Sequence, residues 1–262
     1  MYGFDLIRPS TLDEAVKALS GDGAQPLSGG QTLLPTMKQR LNAPDRLVSL
    51  TGIAELKGVC RDGDELVIGA ATTHAEVAAK AAGDYPGLAA LAGQIGDPAV
   101  RNRGTIGGSL ANNDPSACYP AGALGSGATI VTNRREIAAD DFFQGMFTTA
   151  LDEGEIITSV RFPIPERAAY AKFLQPASRF ALTGAFVAKY AGGVRVAITG
   201  ASEGGVFRWT EAEAALSANF SPAALEGHGV PADGMIGDLH GTPDYRAHLV
   251  GVMTRRAVAA AG

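Results

Sequence analysis

The N-terminal part of the chain alternates between helical and extended hydrophobic patterns. In PSTLDEAVKAL (residues 9–19) the apolar residues fall on one helical face, and Thr11 and Glu14 have the spacing of a capping box. The segment AQPLSGGQTLLPTMKQRL (24–41) predicts a short strand, a glycine turn and a helical stretch. DRLVSL (45–50) predicts a further strand.

The central part of the chain continues this alternation. DELVIGAATTHAEVAAKA (64–81) predicts a strand, a turn and a helix, with Thr73 and Glu76 as a second capping box. YPGLAALAGQIG (85–96) predicts another helix. GATIVT (127–132) predicts a strand, and ADDFFQGMF (139–147) predicts a turn or short helix. EIITSVRFPIP (155–165) predicts a strand that is stopped by two prolines.

A change of pattern near PIPERAAYAKF (163–173) indicates a domain boundary. Beyond it, GAFVAKYAGGVRVAITGAS (184–202) predicts a hairpin that turns at Gly192 and Gly193. The glycine-rich residues 227–241 predict a loop.

Two helices are predicted in the last part of the chain. TEAEAALSA (210–218) is expected to be capped by Thr210 and Glu213, and the final helix (242–261) by Thr242. The apolar stripe of the final helix is Tyr245, Leu249, Val252 and Met253. Strands and helices interleave without a regular βα repeat, which favours an α+β fold over a doubly wound sheet.

The composition is that of an ordinary soluble globular protein, with 262 residues, 46% hydrophobic and 19% charged. The net charge is -5 and no run of Lys or Arg exists, so nucleic acid and anionic membranes are poor candidates for a partner. No apolar run approaches ~18 residues, so no membrane span is expected. The N-terminus MYGFDLIRPS lacks the pattern of a secretion signal, and a cytoplasmic location is predicted.

The cysteines and histidines do not have the spacing of metal ligands. Cys60 and Cys118 lie far apart and the four histidines are dispersed. No zinc or iron–sulfur site is therefore expected on this chain. Free thiols are expected, because disulfides are rare in a reducing compartment.

Two glycine segments carry the candidate chemistry: LSGGQTLL (27–34) and RNRGTIGGSL (101–110). Successive N–H groups in such turns can converge into an anion-binding nest, and glycine permits close approach of a phosphate. Two such segments would suit a pyrophosphate, although neither fits the dinucleotide fingerprint or a P-loop. The alternative is that each Gly-Gly pair is simply a tight turn, and spacing alone leaves both interpretations open.

The chain also resembles a known family, the FAD-binding medium subunits of molybdenum hydroxylases such as carbon monoxide dehydrogenase and xanthine dehydrogenase. The resemblance runs from residue 2 to the final helix. It is carried, in order, by GGQTLLPTMKQRL, IGAATTHAEV, IGDPAVRNRGTIGGSLANNDP, DEGEIITSVRFP and HGTPDYRAHLVGVMTRRA. Its most specific part is the RNRGTIGG block with the IGDP lead-in.

The resemblance implies an α+β fold with two domains. Residues 1–166 would form an FAD-binding domain of the PCMH/vanillyl-alcohol-oxidase type, with subdomains of about 1–52 and 53–166. Residues 167–262 would form a small α+β C-terminal domain of the CO dehydrogenase flavoprotein type. FAD would lie between the subdomains and bind non-covalently, because no histidine lies in either glycine segment; His74 is expected to be an early helix residue.

The resemblance also implies the residues that contact FAD, mostly in the two glycine segments. No catalytic side chain is predicted. The expected contacts are Leu27, Ser28, Gly29, Gly30, Gln31, Thr32, Leu33, Ile95, Thr105, Ile106, Gly107, Gly108, Ser109, Asp114, Cys118, Ile157 and Lys172.

Two positions depart from the family pattern. Asn112 stands where a histidine is common, and Cys118 stands where an aspartate that contacts the flavin is usual. A thiol is a weak hydrogen-bond donor and a poorer acceptor than a carboxylate, so FAD affinity or redox potential is expected to differ. The alternative is that Cys118 is a small buried residue tolerated by packing.

The function implied by the resemblance is electron transfer in a molybdenum hydroxylase complex. A large partner would carry the molybdenum cofactor and a small partner [2Fe–2S] clusters, in a dimer of heterotrimers, with NAD, a quinone or O₂ as acceptor. Two cysteines cannot supply the cluster ligands themselves. Two alternatives stay open. One is an assembly subunit that has lost FAD; the other is a stand-alone flavin oxidoreductase with an acid or base among Glu203, Arg208, His228 and His240.

Overall fold

The computed structural model describes all residues, 1–262. Its helices α1–α10 are Leu12–Leu19, Leu33–Lys38, His74–Lys80, Pro86–Gly93, Pro98–Arg101, Ile106–Asn112, Cys118–Ser126, Ala139–Phe142, Thr210–Ala218 and Pro243–Ala261. Its strands β1–β14 are Asp5–Ile7, Ala24–Leu27, Arg46–Ser49, Val59–Asp62, Glu65–Gly69, Thr129–Thr132, Glu136–Ala138, Phe143–Gly145, Thr148–Thr149, Ile157–Pro163, Arg167–Leu174, Ala181–Tyr190, Gly193–Thr199 and Phe207–Arg208. No helix is long and apolar enough to cross a membrane.

The strands form three sheets and one small hairpin. A parallel sheet has the order β1-β3-β2, and an antiparallel sheet has the order β4-β5-β10-β6-β7. A second antiparallel sheet has the order β11-β12-β13-β14, and β8 pairs with β9. Parallel and antiparallel sheets with helices packed around them confirm the predicted α+β fold.

Three apolar cores hold these layers together. A small core packs α1 against the parallel sheet, and the largest core lies between the five-stranded sheet and helices α3, α4, α6 and α7. The third core lies under α9 and α10 on one face of the four-stranded sheet. The largest core also includes Tyr170 and Phe186 from the four-stranded sheet. That sheet is therefore buried on both faces.

Close packing of α4 and α7 against the four-stranded sheet depends on two glycines. A Cβ on Gly87 of α4 would lie 2.6 Å from the Ala168 carbonyl oxygen of β11. A Cβ on Gly125 of α7 would lie 2.8 Å from the Phe186 ring. These contacts bring the helices close to the third sheet, which positions the segment after β11 beside the site described below.

The predicted caps are present at the starts of α3 and α10. At α1 only the threonine half of the predicted capping box is present. Thr73 and Glu76 form a complete capping box, and Thr242 accepts the Tyr245 N–H. Thr11 caps α1, but the Glu14 carboxylate accepts from the Ser10 N–H at 2.7 Å and not from Thr11.

The predicted cap of α9 is wrong. The N-cap residue is Trp209, and Thr210 is already helical. Glu213 is buried, where it pairs with Arg208 and accepts the Val196 N–H at 3.0 Å. The start of the helix is therefore set by the short connection from β14 and by these buried contacts. A polar cap does not set it.

The structure corrects two further predictions: the position of the β12–β13 turn and one residue in the buried stripe of α10. The β12–β13 hairpin turns at Ala191 and Gly192, since Tyr190 pairs with Gly193. In α10, Tyr245 is 40% exposed, and the next residue, Arg246, is buried instead. Arg246 tolerates burial because its guanidinium donates to the Leu182 carbonyl of β12 and the Gly200 carbonyl just after β13, and it pairs with the Asp238 carboxylate.

Candidate functional site

A cavity of about 660 Å³ lies between the parallel sheet, the starts of α2, α3 and α6, and the segment after β11. This volume is within the range of cofactor and ligand sites. Every residue expected from the sequence to contact a cofactor lines it, except Ile106. The Ile106 side chain is fully buried in the largest core instead, because it points from the first position of α6 into the protein and not towards the cavity.

The first glycine segment presents a row of free backbone donors to the cavity. The N–H groups of residues 28–33 have no hydrogen-bond acceptor within the protein, and all six residues line the cavity. Gly30 adopts φ +70, the left-handed conformation that only glycine adopts readily. Consecutive free N–H groups around such a residue form a nest suited to an anion, in agreement with the sequence-based interpretation.

The two glycine segments contact each other directly. Gly29 lies so close to the Arg103 carbonyl oxygen that no Cβ would fit between them. The Ser28 and Thr105 hydroxyls are 2.7 Å apart. Glycine at position 29 is therefore required for the two segments to meet.

The second glycine segment is the start of α6 and is not a second nest. Thr105 is the N-cap, and its hydroxyl accepts the Gly108 N–H at 3.2 Å. The N–H groups of Ile106 and Gly107 donate to the Thr72 and Ala70 carbonyls. These donors are already used within the protein, so of the two interpretations left open by the sequence, the nest does not apply to this segment. The segment instead offers the cavity its hydroxyls and the open surface over Gly108.

Lys172 joins three parts of the cavity wall. Its ammonium donates to the Gln94 carbonyl at 2.7 Å and the Arg179 carbonyl at 2.9 Å, and it lies 3.5 Å from the Cys118 sulfur. No carboxylate is among its contacts. The Cys118 sulfur is therefore the one side-chain atom among the three hydrogen-bond partners of this ammonium.

Cys118 begins α7 and is 5% exposed. The buried Tyr170 hydroxyl lies against its thiol and has no hydrogen-bond partner, and burial raises the pKa of Tyr170 well above its ordinary value. Both cysteines are free thiols, as predicted. Cys118 is thus buried and packed as the alternative interpretation expected, but it also forms part of the cavity wall between two hydrogen-bond donors.

The three remaining expected contacts come from separate parts of the chain. Ile95 lies in a turn whose carbonyls at 95 and 96 accept from Arg101, both at 3.1 Å. Ile157 is buried at the start of β10, and the Asp114 carboxylate accepts the Ser116 N–H. The fold therefore brings distant positions together around one cavity.

Several groups of lining residues were not expected from the sequence, and two of them come from connections between strands and helices. Ala70, Ala71 and His74 enter from the β5–α3 turn, although the IGAATTHAEV match could have pointed to them. Residues 178–180 enter from the connection between β11 and β12, for which the sequence offers no signal.

His74 is the first residue of α3, as predicted, and is 4% exposed. Burial, and then the positive charge of Arg101, lower its pKa from 6.5 to about 4. The imidazole is therefore neutral at pH 7, and its Nδ1 has no partner.

The buried carboxylate beside the cavity is not free to act as an acid or base. Glu155 lines the cavity, but its carboxylate accepts from Arg135, Thr132 and the Asp152 N–H, and the Arg135 hydrogen bond chiefly lowers its pKa to about 2. The C-terminal candidates for an acid or base do not line the cavity: Glu203, Arg208, His228 and His240.

The fold and the cavity define a domain that binds a large, partly apolar molecule bearing an anionic group. A family described as "FAD binding domain in molybdopterin dehydrogenase" matches residues 2–165. The chain belongs to this family, which confirms the resemblance inferred from its motifs. It is an FAD-binding medium subunit of the molybdenum hydroxylase family, whose members are subunits of oxidoreductases.

Individual relatives match nearly the whole chain. The carbon monoxide dehydrogenase medium chain of Afipia carboxidovorans is 33% identical over 97% of this chain and 95% of its own length. The nicotine 6-hydroxylase medium subunit of Paenarthrobacter nicotinovorans is 33% identical over the same shares. The solved Cu,Mo-CO dehydrogenase in its cyanide-inactivated form matches with a TM-score of 0.88 and 32% identity, over 100% of this chain and 98% of that one. Quinoline 2-oxidoreductase from Pseudomonas putida 86 matches with a TM-score of 0.87 and 29% identity, over 99% and 97%.

Proposed function

We propose that this chain is the electron-transfer subunit of a molybdenum hydroxylase complex. It would bind FAD non-covalently, receive electrons from [2Fe–2S] clusters on a small partner subunit, and deliver them to NAD, a quinone or O₂. A large partner would carry the molybdenum cofactor, and the complex would be a dimer of heterotrimers. The observation that carries this proposal is the row of six free N–H groups at residues 28–33 beside a cavity of cofactor size.

The cavity residues fit FAD. The N–H groups of residues 28–33 would hold the pyrophosphate, because they are preorganised donors that lack acceptors. Gly29 and Gly30 let the backbone approach it closely, and the Ser109 and Thr32 hydroxyls lie on the same cavity wall. Apolar contacts to the ring systems would come from Leu27, Leu33, Ile95 and Ile157.

The chain's own residues bind, orient and exclude water. FAD, when bound, accepts electrons one or two at a time and can pass them to a different acceptor. Glu155 accepts hydrogen bonds from Arg135, Thr132 and the Asp152 N–H, so this carboxylate is not free to act as an acid or base. In this proposal the chemistry on an organic substrate takes place on a partner subunit, and none of it on this chain.

The division into domains is part of the same proposal. Residues 1–166 would form the FAD-binding domain, with subdomains of about 1–52 and 53–166, and residues 167–262 the C-terminal domain. Lys172 and residues 178–180 line the cavity from the C-terminal side. The C-terminal domain would therefore complete the cofactor site.

The stand-alone oxidoreductase is less well supported, because its candidate residues lie outside the cavity. Arg208, for example, is held in ion pairs with Glu213 and Asp140. The assembly subunit without FAD is also less well supported, because it would leave a row of free donors without a purpose.

The first experiment is an absorption spectrum of the purified chain, followed by a second spectrum of the supernatant after acid precipitation. We expect flavin bands and release of FAD to the supernatant, because no covalent link is proposed. A folded chain that is colourless and takes up no added FAD would overturn the proposal. Flavin that stays with the precipitate would overturn its non-covalent part.

A further inference from the structure

Two side chains of β11 approach the Cys118 thiol from the same face of the four-stranded sheet. Tyr170 and Lys172 are two positions apart in an extended strand, so their side chains lie on one face. Tyr170 belongs to the largest core on that face, together with Cys118, the first residue of α7. The strand therefore brings a hydroxyl and an ammonium to one sulfur atom.

Both groups are hydrogen-bond donors, and the thiol gives them only a weak acceptor. The Lys172 ammonium lies 3.5 Å from the Cys118 sulfur. Tyr170 is 6% exposed, and its hydroxyl lies against the same thiol without a hydrogen-bond partner. Glycine at position 184 leaves room for this hydroxyl, because a Cβ there would overlap it. A buried donor without an acceptor is costly, so this arrangement indicates a state of the protein in which the sulfur bears a better acceptor.

An oxygen atom on the Cys118 sulfur would be such an acceptor. A sulfenate carries a negative charge on its oxygen, and oxygen accepts hydrogen bonds more strongly than a thiol sulfur. The Lys172 ammonium and the positive end of the α7 dipole both favour a negative charge at this position. Cys118 and Lys172 also line the cavity, which offers space for the added oxygen and a path for a small oxidant.

We infer that Cys118 is an oxidation site, at which a hydroperoxide such as hydrogen peroxide forms a sulfenate held by Lys172 and Tyr170. The sulfur attacks one peroxide oxygen, so that an S–O bond forms while the O–O bond breaks. The sulfur loses two electrons and the peroxide gains them. The thiol proton joins the leaving hydroxide to give water, and the proton of the sulfenic acid passes to solvent. This inference goes beyond the proposed function and does not require bound FAD.

The surroundings of Cys118 disfavour the usual reactions of a sulfenate with a second group. The other cysteine, Cys60, is exposed and does not line the cavity, so no second thiol is present there to form a disulfide. The Lys172 nitrogen donates to two carbonyls and to the Cys118 sulfur, which holds it as an ammonium without a free electron pair for an S–N bond. The sulfenate should therefore persist.

The test is treatment of the full-length chain, freed of FAD, with hydrogen peroxide. After the peroxide has been removed, samples are denatured at intervals in excess dimedone, which captures sulfenates, and each cysteine peptide is quantified by mass spectrometry. Cys60 is the internal reference, because its thiol is exposed to solvent. We expect the Cys118 sulfenate to survive at least about tenfold longer than that of Cys60, the factor expected from one hydrogen bond to a charged group.

Two variants assign this lifetime to the two donors. Tyr170→Phe removes only the hydroxyl and Lys172→Met removes the charge, and each should shorten the lifetime of the Cys118 sulfenate about tenfold. The matched control is Tyr119→Phe, which removes another buried hydroxyl without a partner, on a ring that packs against His74. The control should leave the lifetime unchanged.

The wild-type chain alone can overturn the inference. It fails if peroxide oxidises Cys60 but not Cys118, or if the two sulfenates have equal lifetimes. It also fails if both folded variants keep the wild-type lifetime. None of these results bears on the proposed function, which depends on FAD binding by the untreated chain.

Discussion

The Ser28 hydroxyl lies 2.7 Å from the Thr105 hydroxyl, across 77 residues of sequence. This contact brings the end of β2 against the start of α6, and the two form one wall of the cavity. The same junction includes Gly29, which touches the Arg103 backbone. Cofactor binding should therefore depend on how closely these two segments can approach.

Replacing Gly29 with alanine should abolish FAD binding. The new Cβ would overlap the Arg103 carbonyl oxygen, which would force apart the two segments and move the N–H groups of residues 28–33. Fluorescence titration of the apo protein with FAD measures the effect. Gly83→Ala is the control, because Gly83 is exposed and has nothing within 4 Å of its would-be Cβ. Equal FAD affinity in Gly29→Ala and wild type would show that the junction does not shape the site.

Burial of His74 should make the protein less stable as the pH falls from about 6.5 to about 4. The folded state holds the pKa of His74 at about 4, so in this window protons bind mainly to the unfolded state and favour it. The free energy of unfolding should fall by at most roughly 3 kcal/mol over this range. Urea unfolding of wild type and His74→Gln across this pH range measures it. The stability difference between the two proteins should change with pH in favour of the variant at low pH, and a constant difference would contradict the prediction.

Placing an aspartate at position 118 should lower the midpoint potential of the bound flavin. A carboxylate there would meet the Lys172 ammonium and the unpartnered Tyr170 hydroxyl, and its negative charge would disfavour electron uptake nearby. A midpoint potential that is lower by about 30 mV corresponds to a free-energy change of about 1.4 kcal/mol for a two-electron couple. Spectroelectrochemical titration measures the shift, and Cys118→Ser is the uncharged control. If the serine variant shifts as far as the aspartate variant, charge is not the cause.

Replacing Asn113 with alanine should destabilise the fold by about 2 kcal/mol. The change removes two side-chain hydrogen bonds and leaves the Gly145 and Thr148 carbonyls without this donor. Alanine is also less tolerant than asparagine of φ +42 at this position. Denaturant unfolding measures the loss, with Asn112→Ala next to it as the control. Similar losses in the two variants would mean that the attachment of the β8–β9 hairpin contributes little.

The first glycine segment and the capping box of α3 were predictable because each is a local signal. Gly30 needs its left-handed turn, and the Thr73–Glu76 spacing is satisfied within one helical turn. Such features depend on residues a few positions apart. They do not depend on the rest of the fold.

That the second glycine segment is the start of a helix could not be predicted from such a local signal. Two adjacent glycines disfavour a helix, yet Gly107 and Gly108 lie in α6. Tertiary contacts decide the outcome, since a Cβ on Gly107 would lie 2.6 Å from the Ala70 side chain, and its N–H bonds the Ala70 carbonyl. The N–H groups of Ile106 and Gly107 donate to the Thr72 and Ala70 carbonyls, which lie more than thirty residues earlier in the chain.

Residues 178–180 and His74 illustrate a further limit. Both line the cavity, but they arrive from the β11–β12 connection and the β5–α3 turn. The position of residues 178–180 depends on how the four-stranded sheet packs against α4 and α7, and that of His74 depends on its contacts with Gly104 and Tyr119. Hydrophobic periodicity reports the buried face of each element but does not report which elements meet.

The position of β10 in its sheet sets the order in which the site can be completed during synthesis. β10 pairs with β5 on one side and β6 on the other, although it follows both in the chain, and its first residue, Ile157, lines the cavity. At about 5–20 residues per second, the ribosome needs roughly 5–20 s to proceed from the end of β5 to the end of β10. Until then β5 lacks its central neighbour and the cavity lacks a wall. We therefore expect FAD to load only after β10, and after it the lining residues within 172–180, have left the ribosome.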